Sequence, residues 1–309
     1  DVDAKLNVVR HAFPFSVLDE DAVKVVRRLE RFGYDAYLVG GCVRDILLGL
    51  RPKDFDVVTS ARPAEVRKVF RNCRLIGRRF RLAHILFKNR KVIEVATFRR
   101  SPTEEDDVSE RHAAENLFGG PADDAVRRDF TVNALMYDVT RKRILDWTGG
   151  LDDIDAGVVR TIGAPDRRLP EDPVRIIRAI KFAVRLGFEI DPVLLDGMQR
   201  HAALVSACSP ARLVEETFKL LRSGKAAPTF AAAAEAGVLD HLLPGLAECD
   251  GRAGDGARDL TSAERWRALA RADELALAGR EISDPVLLAA LVHPVCRDAL
   301  EAPGDTDRK

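Results

Sequence analysis

One short block limits what this chain can fold into more than any other. An apolar run, Ala36–Val39, ends in Gly40-Gly41-Cys42-Val43-Arg44-Asp45, and after a short helical stretch comes Asp54-Phe55-Asp56. Apolar, β-favouring residues that run into paired glycines predict a strand entering a turn, with a helical turn over Val43–Leu48 closed by Gly49. Two glycines there let the backbone approach a ligand closely and turn N–H groups toward an anion. Arg44, one turn into the helix, offers a guanidinium for phosphate. Over Asp54–Thr59 the two-residue period of a strand sets Asp54 and Asp56 on one face, with Phe55 buried behind. Paired carboxylates repel each other. A hard divalent cation such as Mg²⁺ relieves that cost and prefers a few carboxylates together with substrate phosphates. Glu94, on a neighbouring predicted strand, is a candidate third acid. A lone glycine pair is ordinarily only a turn, and a lone pair of alternating aspartates is ordinarily solvated. The specific signal is their succession on strand, helix and strand.

The rest of the chain falls into two characters. Up to about residue 165 it mixes short helices and strands. An amphipathic helix is predicted from Asp19 to Phe32, a second helix over Pro63–Phe70, a hairpin from His84–Phe87 and Val92–Phe98, and helix again over Val126–Tyr137. Beyond Pro170 strand signals vanish, and Ala, Leu and Arg recur at helical spacing through Ile176–Leu186, Leu213–Leu221, Phe230–Leu243 and Ala263–Leu277. The fold class expected is α+β: a small mixed-sheet head over 1–165, a helical neck over 166–225 and a helical body over 226–309. No stretch of 18 uncharged apolar residues exists, so no membrane span is expected. The five cysteines are scattered without a CxxC pair, which fits a reducing, cytoplasmic setting. The formal net charge is zero, yet the charge is segregated. Arg67–Arg100 holds twelve Lys or Arg against the single acid Glu94, whereas Ser101–Asp124, predicted to be a loop, holds eight acids and one Arg.

Gly40 to Thr59 resembles the head motif of class II nucleotidyltransferases of the polymerase β superfamily, the group that contains bacterial poly(A) polymerases and CCA-adding tRNA nucleotidyltransferases. Arg127-Arg128-Asp129-Phe130-Thr131-Val132-Asn133-Ala134 is similar to the family's RRDFTxNA motif, which implies that Arg128 and Asp129 meet the ribose and triphosphate and that Asp129 belongs to the active site. Glu171-Asp172-Pro173-Val174-Arg175 is similar to its EDxxR motif, which implies that Asp172 and Arg175 read the base edge. On a helix, Asp172, Arg175 and Arg178 would share one face. Lys181 stands where the family often carries Arg. Leu75 to His84 resembles the signature that tells poly(A) polymerases from CCA-adding enzymes, and its Arg78, Arg79 and Arg81 are expected to hold RNA or shape the nucleotide pocket. For His84 a structural role is at least as strong an expectation as a functional one. Ser209–Glu216 resembles the family's neck helix.

The resemblance implies a polynucleotide adenylyltransferase: AMP transfer from ATP to an RNA 3′ end, with Asp54 and Asp56 binding two Mg²⁺ ions and Gly40, Gly41, Arg44, Arg128, Asp172, Arg175 and Arg178 binding the nucleotide. CCA or A addition to tRNA is the alternative. The intact acid pair argues against a catalytically idle RNA-binding protein.

Overall fold

The computed structural model describes residues 5–77, 82–102, 117–244 and 255–301. The chain divides into two compact units, Asp1–Gly163 and Ala164–Lys309.

The first unit is built on one mixed sheet. Its strands are β1 (Asn7–Arg10), β2 (Ala36–Val39), β3 (Asp56–Thr59), β4 (Cys73–Ile76), β5 (Leu82–Leu86), β6 (Val92–Thr97), β7 (Met136–Asp138) and β8 (Arg143–Asp146), lying in the order β1-β8-β7-β2-β3-β6-β5-β4. All neighbours are antiparallel except β3 and β6. β2 sits near the centre, and all four of its residues are buried, as a strand covered on both faces requires.

One face is covered by α1 (Glu20–Arg31). Asp19 caps that helix, accepting from the backbone N–H of Asp21 at 2.9 Å and of Ala22 at 3.1 Å. Glu20 and Asp21 in the first turn and Arg28 and Arg31 in the last suit the helix dipole. Val23, Val25, Val26 and Leu29 are buried beneath it, each contributing about 1.5–3 kcal/mol of apolar transfer. The chain leaves β2 through α2 (Gly41–Leu47), and α3 (Pro63–Val69) follows β3 with Pro63 in its first turn. The other face carries a cluster of Tyr37, Val39, Val58, Phe98, Ala125, Met136, Leu145 and Trp147, closed by α4 (Pro121–Val126).

On this second face one register rank crosses the whole sheet. It runs Val8, Leu145, Met136, Val39 and Asp56. One residue before the Val57–Val95 pair it passes to Glu94, then to His84 and Arg74. The rank is apolar from β1 to β2 and ionisable from β3 to β4, and Asp56, Glu94 and Arg74 are exposed.

Two expectations are corrected here. β3 begins at Asp56, so Asp54 precedes the strand, and Phe55 is half-buried rather than fully covered. The stretch 126–137 is not a helix. It holds the end of α4, a 3-10 turn at Thr131–Asn133 and the start of β7, because pairing with β2 satisfies the backbone of Met136 and Tyr137 and overrides local helical preference. Within the predicted loop 101–124, helix already starts at Pro121, and 103–116 lie outside the described residues. α5 (Gly150–Ala156) and a two-residue strand, Val158–Val159, follow β8.

Among its described residues the regular elements of the second unit are helices and the two-residue strand Glu189–Ile190. Its helices are α6 (Pro165–Glu171), α7 (Val174–Leu186), α8 (Pro192–His201), α9 (Pro210–Leu221), α10 (Ala226–Glu235), α11 (Leu239–Leu242), α12 (Asp255–Leu277) and α13 (Asp284–Glu301). α6 and α8 approach closely at Gly197, where a Cβ would stand 2.6 Å from the Pro165 Cβ. Buried Asp273 on α12 caps α10, accepting from the N–H of Ala226 at 2.7 Å and of Ala227 at 2.8 Å. Gly237, at φ 69°, splits the helix expected over Phe230–Leu243 into α10 and α11. Among the described residues no helix is long and apolar enough to cross a membrane.

Candidate active site

In the first unit Gly40 and Arg128 lie together, and Asp54, Glu94 and Arg128 all act on the charge of Asp56. Between β2 and α2 the backbone takes φ 75°, ψ −126° at Gly40, a conformation closed to residues with a Cβ. A Cβ at Gly40 would stand 3.3 Å from the Asn133 carbonyl oxygen and 3.4 Å from Arg128 Nη1, and one at Gly41 would stand 3.5 Å from Arg44 Nη2. Two guanidinium groups therefore lie against the glycine turn.

Arg44 differs from its expected posture. Its guanidinium is turned inward, 2% exposed, with Nε 2.8 Å from Asp45 Oδ1 and Nη1 donating to Asn133 Oδ1. The charge sits beneath the turn, neutralised by Asp45, so direct reach toward a phosphate is not what this side chain does here. Asn133 in turn donates from Nδ2 to Asp129 Oδ1 at 3.1 Å, and the Phe130 N–H donates to the same oxygen at 2.8 Å. The Asp129 carbonyl accepts from the Ile162 N–H at 3.2 Å. Carboxylate and backbone of Asp129 are thus both held, and the Arg44–Asn133 contact ties the glycine turn to that acid.

Arg128 is fixed by a residue that sequence reasoning passed over. Asp124, 0% exposed, accepts from Arg128 Nε and Nη2 at 3.1 and 2.9 Å, from Arg127 Nε and Nη2 at 3.0 and 2.7 Å, and from the Arg99 N–H at 3.2 Å. Burial pushes the Asp124 carboxyl up, but the charges of Arg128 and Arg127 and their hydrogen bonds outweigh it and leave its pKa below the usual value. The spacing was legible: an acid three and four residues ahead of two arginines at a helix end.

Asp56 lies across from this cationic side. Its pKa is raised to about 6, first by desolvation, then by the charge of Glu94 and more weakly by Asp54, with Arg128 opposing. Asp56 is exposed at the sheet surface, yet neighbouring protein desolvates its carboxyl. Glu94, whose charge acts on Asp56, stands 3.4 Å from His84 Nε2. Among the described residues no group of three or more His, Cys, Asp or Glu side chains is close enough to encage a metal ion. An oxygen-only acid pair whose repulsion raises one pKa fits a hard cation that takes its other ligands from water and substrate phosphates. Buried Cys42, beneath the turn, has its thiol pushed up to about 12 by burial and is inert. Arg78, Arg79 and Arg81 lie outside the described residues.

In the second unit Asp172, Arg175 and Arg178 do not share a helical face. Asp172 sits in the break between α6 and α7, with φ −152° and ψ 90°, because Pro173 disfavours helix in the residue before it. Arg212 Nη2 stands 3.0 Å from both Asp172 oxygens and donates to Oδ2, while buried Oδ1 takes no hydrogen bond from the described residues. Arg175 Nη1 donates to the Arg168 carbonyl at 2.6 Å and to Glu171 Oε2 at 3.2 Å. Arg178 lies over the Phe182 ring at 5.4 Å. Burial lowers the Lys181 pKa, and Glu216 lies 3.6 Å away.

The family model described as the poly(A) polymerase head domain matches residues 36–160, and one described as a probable RNA and SrmB binding site of polymerase A matches residues 187–250. The chain is 45% identical over 258 residues to poly(A) polymerase I of Salmonella typhi, covering 81% of this chain and 55% of that protein. It is 34% identical over 255 residues to the CCA-adding enzyme of Geobacillus stearothermophilus, covering 82% of this chain and 61% of that protein. It thus spans about half the length of the poly(A) polymerase it matches. Among solved structures it is similar to the Bacillus stearothermophilus CCA-adding enzyme in complex with CTP, with a TM-score of 0.66 and 27% identity over 92% of this chain and 78% of that one. A tRNA nucleotidyltransferase complexed with a primer tRNA and an incoming ATP analog gives 0.65 and 26% over 87% and 75%.

Proposed function

The chain belongs to the nucleotidyltransferase family that shares the poly(A) polymerase head domain, and from that premise we propose that it adds AMP from ATP to RNA 3′ ends without a template, releasing pyrophosphate. The observation that carries this reading is the placement of Asp56 beside a glycine turn lined by Arg128, with Asp54 and Glu94 acting on the same carboxylate. Identity of 45% to a poly(A) polymerase against 34% to a CCA-adding enzyme favours ATP as the nucleotide.

Each residue has work suited to its position. Asp54 and Asp56 would hold two Mg²⁺ ions, which when bound acidify the primer hydroxyl and offset charge on the triphosphate. The Gly40-Gly41 turn lets the triphosphate lie against the backbone, and Arg128, aimed by Asp124, supplies positive charge as the bond to pyrophosphate breaks. Arg44 acts from below through Asn133, keeping Asp129 in place to accept from ribose hydroxyls. In the second unit Asp172 Oδ1 is buried, takes no hydrogen bond from the described residues and has Arg212 Nη2 3.0 Å away, an acceptor suited to an adenine amino group, and Arg175 and Arg178 add donors for base and phosphate.

Two incubations test this. Asp54→Ala and Asp56→Ala are expected to keep the wild-type circular dichroism spectrum and lose Mg²⁺-dependent incorporation. Near-normal incorporation by both variants rejects the assignment. Supplying ATP or CTP with a generic oligoribonucleotide and with a tRNA lacking its 3′ end separates the two chemistries, and CTP use on tRNA replaces the adenylyltransferase reading with CCA addition.

A further inference from the structure

The rank that crosses the sheet changes from apolar to ionisable at β3. On the β2 side of Asp56 stand the glycine turn and, against Gly40, the guanidinium of Arg128, the side suited to a triphosphate. On the opposite side the rank continues Glu94, His84, Arg74 over β6, β5 and β4. Glu94 is half-exposed, His84 retains 24% of its side-chain surface while 3.4 Å from Glu94, and Arg74 is exposed.

In-line displacement places the attacking oxygen opposite the leaving pyrophosphate. With the triphosphate on the β2 side, the attacking strand must enter over β6, β5 and β4. From the geometry we infer that the face formed by Glu94, His84 and Arg74 is the seat of the RNA 3′ end, with the terminal hydroxyl toward Asp56 and Glu94 and the backbone phosphates on His84 and Arg74. The order of charge matches that ligand. A 3′ terminus begins with a neutral hydroxyl, whose proton carboxylates accept, and continues into anionic phosphates, which a guanidinium and an imidazole N–H can hold. Three strand spacings, about 14 Å, cover about four nucleotides stacked at ~3.4 Å each. The inference deepens the proposed adenylyl transfer and rests on it for the place of the triphosphate and the direction of attack.

Steady-state kinetics with the 309-residue chain test it, varying a 5′-labelled oligoribonucleotide at saturating ATP and then ATP at saturating RNA. Arg74→Ala and His84→Gln are expected to raise KM for RNA about 5- to 20-fold and leave KM for ATP within about twofold. Arg74→Lys, which keeps the charge, is expected to recover most of the loss. Lys24→Ala on α1 removes an equal charge from the opposite face and is expected to change neither constant. Fluorescence anisotropy without ATP gives a second readout: for Arg74→Ala, the slope of log K against log salt flattens by about 0.7, one single-strand phosphate contact. Unchanged KM for RNA together with an unchanged salt slope overturns the inference, as does an equal rise in both KM values. If the wild-type chain incorporates no nucleotide, the transferase reading fails by itself, and the anisotropy arm still decides whether Arg74 holds RNA.

Discussion

Replacing Asp124 by Asn removes one charge and changes almost no volume, which makes it a clean test of how the site is held. Asp124 is fully buried and accepts four hydrogen bonds from two guanidinium groups whose side chains are themselves only 30% and 21% exposed. Asn can still accept from the Arg99 N–H and from one arginine, so part of the geometry survives. Removing one partner of a buried ion pair costs about 3–5 kcal/mol. Partial exposure of both arginines and the bonds Asn retains place the expectation at the low end, about 3 kcal/mol. For a unit of this size that is about 6–12 °C in melting temperature. The pH dependence has a definite sign. Asp124 has a lowered folded-state pKa, so its contribution is fully present above the unfolded value near ~3.9 and is lost as pH falls through the folded value. Thermal melts of wild type and Asp124→Asn are expected to differ by a constant amount from about pH 5 to 8 and to converge below about pH 4. Because Arg128 is then less firmly aimed at the glycine turn, KM for ATP is expected to rise. A loss below about 1 kcal/mol at pH 7, or a gap that persists unchanged under acid conditions, refutes the account of Asp124 as the anchor of both arginines.

Asp56 is expected to behave in the opposite sense. Its folded pKa of about 6 lies above the unfolded value, so the ionised group opposes folding as pH rises from about 4 through 6, and Asp56→Asn is expected to melt above wild type at pH 8 while being inactive. The same proton competes with a cation, so the Mg²⁺ concentration giving half-maximal incorporation is expected to rise as pH is lowered through 6; a flat dependence contradicts that pKa. Gly150→Ala would put a Cβ 2.4 Å from the Thr131 carbonyl oxygen, forcing α5 away from the turn that follows Asp129. A loss of about 2–4 kcal/mol, read by urea unfolding, is expected, and a near-neutral result means that the contact is slack.

The order of elements near the site was legible from local chemistry. Asp19 caps a helix with a single buried stripe, four consecutive apolar residues make a doubly covered strand, the glycine pair falls at the turn between strand and helix, and Asp56 opens the next strand. These are properties of neighbouring residues, and neighbours in sequence carry them. Motif resemblance added Asp129, Asp172 and Arg175 by position.

What the tertiary structure alone decided concerns partners far apart in the chain. Arg44 meets Asn133 across 89 residues, and Asp172 meets Arg212 across 40, so neither side chain points where its local helix position suggested. Met136 and Tyr137 became strand because β2 lay beside them with backbone groups to satisfy. The alignment of Asp56, Glu94, His84 and Arg74 required a parallel pair and two antiparallel ones in a fixed register. Sequence supplies the alternation within each strand but not which strands adjoin. That choice is made by burial of the whole sheet, and with it the side from which each substrate can come.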